Sequence, residues 1–380
     1  MRVCDLFAGL GGFTCGSLEA GANVVLAVDV DPVPLKLLGA NAPKVTTVAA
    51  TLGPDRNEVE LPPAAEDLHV HCSTPCTELS IARRGPKADV SGGLSMMRWA
   101  VELVLARGDH SWSLENVPTK PVRALMTELA TANPDRVGWA IFDSADFGAP
   151  QSRARLIAGP PKLIRMLQGI PCARRVSVRD AFAKAGVGEV PGPYYKNQTR
   201  SSTDSGAPTM RSVETQSFTV CAGHGLSWCH ADGKTVRVMT ARDSSILMGF
   251  PATWELPKQS RAAQRAVGNA VCVCLSKAIV LAAMAVQRGD VGVPIEALLR
   301  ATPLEKAPST PPTPAQADPR LQQQQPPHEQ QKKRPHPSAC GDESGVTVEQ
   351  YRRLRRRISQ LEKALAALQQ GGEEDEGLVV

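Results

Sequence analysis

RVCDLFAGLGGF, residues 2–13, decides how this chain is read. An apolar run with Val and Leu ends in glycines and then enters a helical pattern, which is a buried strand turning sharply into a helix. Glycines there let the backbone turn tightly and approach a ligand at the carboxyl edge of a sheet. Taken alone the string is weak, because structural turns use glycine too. A second strand, NVVLAV, then leads into DVDP, placing Asp29 where a carboxylate can accept hydrogen bonds from ribose hydroxyls. Glycine loop plus acid favours a nucleoside cofactor. The spacing is neither G-x-G-x-x-G nor G-K-[ST], so no phosphate cradle is implied. S-adenosylmethionine, an adenosine without phosphates, suits it better.

Outward from this loop, LHVHC, WSLENV, WAIFDSA and RLIAG read as further buried strands, with SMMRWAVELVLA and PVRALMTELATA as helices between them. The alternation predicts an α/β fold, a parallel, doubly wound Rossmann-like sheet. Residues 160–236 break the rhythm with dispersed Gly, Pro, Ser and Thr, and regular structure returns with MTARDSSILMGF and AVGNAVCVCLSKAIVLAAMA. Two catalytic parts, 1–165 and 237–300, are therefore expected around a small inserted region, 166–236. Beyond them lie a Pro/Gln-rich linker at 301–345, expected to be disordered, a short heptad helix at 346–371 and an acidic tail at 372–380. Tyr351, Leu354, Ile358, Leu361, Leu365 and Leu368 alternate spacings of three and four, which suits a weak homodimer through a coiled coil and equally an amphipathic helix docking on its own catalytic domain or on another protein.

The 380 residues carry a formal charge of +5. Residues 160–236 hold ten Lys/Arg against five acids, a balance that suits a polyanionic partner as well as it suits ordinary solvated charge. Ten cysteines at irregular spacings, without a secretory pattern at the N-terminus, point to a reducing, intracellular compartment. KKRP at 332–335 reads equally as a nuclear import signal or as a solvated basic patch in the tail; the nucleus is expected if the host is eukaryotic, and otherwise the cytoplasm. No metal is expected, since Cys72/Cys76, Cys221/Cys229 and Cys272/Cys274 do not form zinc-ligand spacings. No apolar run reads as a membrane span.

HCSTPCTELS, residues 71–80, sets Cys76 after a strand and behind Pro75. SWSLENVP ends another strand with Glu115 and Asn116. QSRAR offers Gln151, Arg153 and Arg155 at alternate positions, so both arginines are expected on one side of an extended segment. A thiol, a carboxyl and an arginine pair at successive strand ends suit covalent chemistry on an electron-poor ring.

With these residues the chain resembles the cytosine-C5 DNA methyltransferases. DLFAGLGGF, VDVDP, STPCTELS, ENV, DFGAPQSRARLIAG, VMTARDSSILMGFP and AVGNAV are similar to that family's motifs and follow in its order over residues 1–285. The resemblance implies S-adenosylmethionine as methyl donor, DNA as partner with the target cytosine flipped out, and a target-recognition role for the inserted region. It implies Cys76 as the nucleophile at cytosine C6, Glu115 at N3 and the amino group, and Arg155 with Arg153 as orienting groups. Phe7, Ala8, Gly9, Leu10 and Gly12 would line the cofactor pocket, Asp29 would take the ribose and Val30 the adenine. Pro75, Asn269 and Ala270 would close the methionine side. Thr219 and Val220 would lie beside the flipped base, and Arg174 and Arg175 would meet DNA.

The chain departs from the family pattern at Thr74 and Thr77, where proline and glutamine are usual, and at Leu79, where an aromatic is usual. Thr51 stands near the position of an adenine-reading Asp. Two other functions stand beside the leading one: methylation of cytosine in tRNA, whose branch carries a Cys-Phe-Thr tripeptide not found here, and a catalytically silent DNA-binding regulator, which has no chemical need for Cys76, Glu115 and the arginines.

Overall fold

The computed structural model describes residues 1–80, 89–170, 175–197, 210–223 and 225–290. Arg174, His224, KKRP and the heptad segment lie outside the described residues.

The sheet has seven strands: β1 (Arg2–Leu6), β2 (Asn23–Asp29), β3 (Thr46–Ala49), β4 (Leu68–Cys72), β5 (Ser111–Asn116), β6 (Gly138–Asp143) and β7 (Ala154–Gly159), in the order β3-β2-β1-β4-β5-β7-β6. The first five are parallel, as the alternation with helices predicts. The all-parallel expectation fails at β7, which runs antiparallel to both β5 and β6, so the sheet is mixed. The cause is local. Asp143 at the end of β6 accepts hydrogen bonds from the Ala145 and Arg153 backbone N–H groups and from the Ser152 hydroxyl, folding 144–153 into a compact return. No crossover helix fits into so short a connection.

Helices cover both faces. On one side α1 (Gly12–Glu19), α2 (Pro32–Asn41), α5 (Pro161–Gln168) and α9 (Val273–Arg288) bury Phe13, Leu35, Leu38, Leu163 and Ile279. On the other, α3 (Val90–Arg107) and α4 (Lys120–Ala132) bury Met97, Val101, Leu125 and Met126. Asp89 caps α3 through the Gly92 N–H, and Gly108 at φ 75° ends it.

The segment expected to be irregular contains α6 (Val178–Ala185), opened by a Ser177/Asp180 capping box. It also builds an antiparallel sheet from β8 (Tyr194–Asn197), β9 (Met210–Ser212), β10 (Leu226–Cys229) and β11 (Thr235–Val238), ordered β11-β10-β8-β9. Tyr195 and Trp228 of this small sheet belong to the same continuous core as α1 and α9. Two further helices, α7 (Ala241–Leu247) and α8 (Ser260–Asn269), lead back to α9.

Contrary to expectation, Ser260–Arg288 meets the length and composition of a membrane span, with a mean hydropathy of 2.0 in its most apolar window. It is two helices, α8 and α9, and 72% of that window is buried within the protein.

Beneath the first turn, the fully buried Asp5 accepts hydrogen bonds from the Thr14 N–H at 3.0 Å and the Thr14 hydroxyl at 2.6 Å, tying β1 to α1. Burial pushes its carboxyl up to about 7, against an unfolded value of about 3.9. Between those two values the folded state binds more protons than the unfolded one, so Asp5's contribution to stability falls as pH rises from about 4 to about 7. Asn can accept the same Thr14 bonds without ionising. We expect Asp5→Asn to be more stable than wild type at pH 8 and to lose that advantage towards pH 5, read by thermal unfolding. A difference independent of pH would remove the account.

Candidate active site

The loop after β1 carries the first wall of the site. Phe7 has φ 63°, a left-handed conformation costly for a bulky residue. The turn is held by the Ala8 N–H donating to the Val28 carbonyl at 2.9 Å and the Gly9 N–H donating to Asp29 Oδ2 at 2.7 Å. The indole of Trp254 donates to the Leu10 carbonyl at 3.2 Å from the opposite side. Asp29 also receives the Asp31 N–H; burial raises its carboxyl while the two backbone donors act in the other direction.

A cavity of about 520 Å³ opens beside this loop. Phe7, Ala8, Gly9, Leu10, Asp29 and Val30 line it together with Pro75, Cys76 and Glu115, with Asn269 at the end of α8 and Ala270 just beyond it. Val30 is 68% exposed, an apolar side chain held at a cavity wall with nothing packed over it. Gly12 is the exception among the expected cofactor residues. It is buried at the start of α1, where an added Cβ would lie 2.2 Å from the Val271 carbonyl oxygen. Its glycine serves close helix packing rather than the cavity. Thr51 is likewise absent from the lining; its N–H donates to Glu58 at 2.8 Å.

Cys76 reaches the cavity on a loop pinned at three points. The Ser73 N–H donates to the Leu6 carbonyl at 3.1 Å and the Ser73 hydroxyl to the Phe7 carbonyl at 3.2 Å. The Asn116 amide donates to both oxygens of Thr74, at 3.1 and 2.9 Å. Thr74 thus supplies a hydroxyl that a proline there could not. After Cys76, Leu79 is buried and packs where Gly93 of α3 leaves room.

Glu115 is buried at the end of β5 and paired with Arg155 of β7, Nε to Oε1 at 2.8 Å. Burial, then the Glu115 charge, push the Cys76 thiol up, while Arg155 and Arg153 act to lower it. The two arginines differ in what they hold. Arg153 donates to the carbonyls of Val220, Gly268 and Ala270 at 2.7, 2.9 and 3.1 Å. Burial draws its pKa down to about 10, which leaves it a cation at neutral pH. Arg153 stands one residue before β7, and both arginines are buried while Ala154 between them is exposed, as alternation along an extended segment expects.

Gln151 completes the strut. Its amide donates to the Leu247 carbonyl at 2.9 Å, and its Oε1 accepts the Val220 N–H at 3.1 Å. Val220 is therefore buried with both backbone groups engaged, while Thr219 is half-buried and donates to the Ser152 carbonyl at 2.7 Å. Arg175 is exposed and pairs with Asp146 at 3.0 Å. The tethering roles of Asn116, Thr74 and Gln151 were not evident from residue order, since each depends on which loop lies opposite.

The family model for C-5 cytosine-specific DNA methylases matches residues 1–159 and 165–284. The chain belongs to that family, and its activity is that of a DNA (cytosine-5-)-methyltransferase. It is 28% identical over 297 residues to the type II methyltransferase M2.BsuMI of Bacillus subtilis strain 168, covering 73% of this chain and 74% of that relative. It is 23% identical over 301 residues to the type II methyltransferase M.HgiDI of Herpetosiphon aurantiacus, covering 73% and 92% respectively. In fold it is similar to a prophage-encoded DNA modification methyltransferase of E. coli, with a TM-score of 0.54 at 17% identity over 76% of this chain and 99% of that one.

Proposed function

We propose that the cavity holds S-adenosylmethionine beside a flipped-out cytosine, and that Cys76 carries the covalent step. The observation that bears most weight is the arrangement of Cys76, Glu115 and the Glu115–Arg155 pair on one cavity with the glycine loop and Asp29. The residues present suit the donor: Asp29 offers a carboxylate to ribose hydroxyls, Val30 an apolar face to adenine, and the Gly9 backbone lies close enough that a Cβ would stand 3.9 Å from Asp29 Oδ2. When bound, the donor supplies an electrophilic methyl group.

Cys76, as thiolate, forms a bond to cytosine C6, and the electron pair displaced from the C5–C6 double bond makes C5 nucleophilic. Glu115 holds N3 and the exocyclic amino group through its carboxyl group, stabilising charge that builds on the ring. Arg155 keeps Glu115 in place. With the donor bound, C5 would take the methyl group as the donor's methyl–sulfur bond breaks and its sulfur leaves as a neutral thioether; a base would then remove the C5 proton, and the C6–S bond would break to restore the C5–C6 double bond and return the Cys76 thiolate. The region 166–236 is assigned to target recognition, with Thr219 close to the base and Val220 acting through its buried backbone. Arg153 and Gln151 would set the distance between that region and the catalytic parts.

Fluorine at C5 cannot leave as a cation, so methyl transfer to 5-fluorocytosine stops at the covalent adduct. DNA carrying this base at a target site should give a denaturation-resistant complex only in the presence of S-adenosylmethionine, seen as a shifted band on a denaturing gel. Methylation of ordinary DNA without any such adduct would overturn the Cys76 route. An adduct with tRNA and none with DNA would overturn the substrate assignment.

A further inference from the structure

Most of the cations in the inserted region already have partners within the protein. Arg175 pairs with Asp146, Arg179 with Glu214 and Lys234 with Asp232. Lys196 donates to the Gly233 carbonyl, and Arg211 lies over the Phe218 ring, 4.1 Å from its centroid.

The α8 helix differs. Arg261 and Arg265, four residues apart, stand on the same face as Asn269 and line the cavity that also holds Cys76. Both are exposed, and among the described residues neither has a hydrogen bond or an ion-pair partner. The acids of the same cavity are otherwise engaged: Asp29 by the Gly9 and Asp31 N–H groups, Asp31 by the Val33 N–H that it caps, and Glu115 by Arg155. Four residues of helix advance by about 6 Å, a separation that suits neighbouring phosphates of one strand. A nucleotide whose base enters the cavity must leave its backbone at the rim, where these guanidinium groups stand. A cofactor carboxylate is a single small anion; two exposed, separated cations suit a polyanionic strand better.

We propose that Arg261 and Arg265 grip successive phosphates of the DNA strand that carries the target cytosine. The inference rests on the reading that an extruded cytosine meets Cys76 in this cavity.

The test uses the full chain and a fluorescein-labelled mixed-sequence DNA duplex, with binding followed by anisotropy from 50 to 200 mM salt. Each phosphate contact contributes about 0.9 to the slope of log affinity against log salt. The double variant Arg261→Gln/Arg265→Gln should therefore have a slope shallower by about 1.8, so that wild type loses roughly tenfold more affinity than the variant across that range. Lysine at both positions should retain most of the slope, because it serves phosphate as a point charge. Arg136→Gln, which removes a charge near the opposite edge of the sheet, should leave the slope unchanged.

A wild-type slope near zero, or an equal slope in the double variant, would overturn the proposal. So would loss of S-adenosylmethionine affinity by calorimetry with the salt slope intact, which would assign the pair to the cofactor carboxylate. The Cys76 adduct is scored separately. Absence of the adduct with the slope change intact would remove the catalytic reading and keep the phosphate contact; the reverse would remove the contact alone.

Discussion

Serine in place of Cys76 should reduce methyl transfer by roughly a thousandfold or more, equivalent to about 4 kcal/mol of barrier. The substitution changes one atom on a loop whose hydrogen bonds run through Ser73, Thr74 and Asn116, so fold and cofactor affinity should persist. What is lost is a group able to ionise: a hydroxyl in that buried position remains protonated at any pH the protein tolerates. The native thiol is itself held above its ordinary range by burial and Glu115. The free enzyme's reaction with an alkylating probe at Cys76 should therefore still be climbing with pH beyond the usual thiol midpoint. Cys72→Ala is the control, since Cys72 is buried in the core on the far side of Pro75 and lines no part of the cavity. Incorporation of labelled methyl groups into DNA reads the result, and a serine variant of comparable rate would end the covalent mechanism.

Arg153→Lys should behave in the opposite way, costing stability before it costs chemistry. Three buried carbonyls, those of Val220, Gly268 and Ala270, share one guanidinium. An ammonium on a flexible stem cannot reach all of them, and each acceptor left unmet costs about 1–3 kcal/mol. We expect a loss of about 3 kcal/mol in denaturant unfolding. Arg155→Lys should unfold nearly as wild type does yet turn over slowly, because its guanidinium holds Glu115 at the cavity. If Arg153→Lys instead kept full stability and lost only turnover, Arg153 would act in the chemistry rather than as a structural strut.

Much of this site could be read from residue order because its parts are short and local. The turn at Gly9, the acid at Asp29 and the Pro75–Cys76 pair each lie at or just after a strand end, and all reach the same cavity. Strand direction was less legible. A buried strand such as β7 has the same apolar pattern whether it runs parallel or antiparallel, and only the Asp143 contacts decide it. A glycine that lets another helix approach, as Gly12 does towards Val271, looks the same in sequence as one needed for approach to a ligand. The small sheet was missed because strands of three or four residues, separated by turns, leave little periodicity to detect.

The close packing of α1 on α9 also bears on how the protein is made. Cβ atoms at Gly12 and Gly16 would strike Val271, Val273 and Ser276, so the first helix is shaped to receive the last described one. More than two hundred and fifty residues separate them. During synthesis the glycine loop leaves the ribosome early but lacks its closing partner until the segment beyond Val271 has followed. Contacts so distant in sequence form slowly. A nascent chain should therefore acquire donor affinity late and abruptly, and chains released before residue 271 should carry every motif of the first strands without a finished pocket.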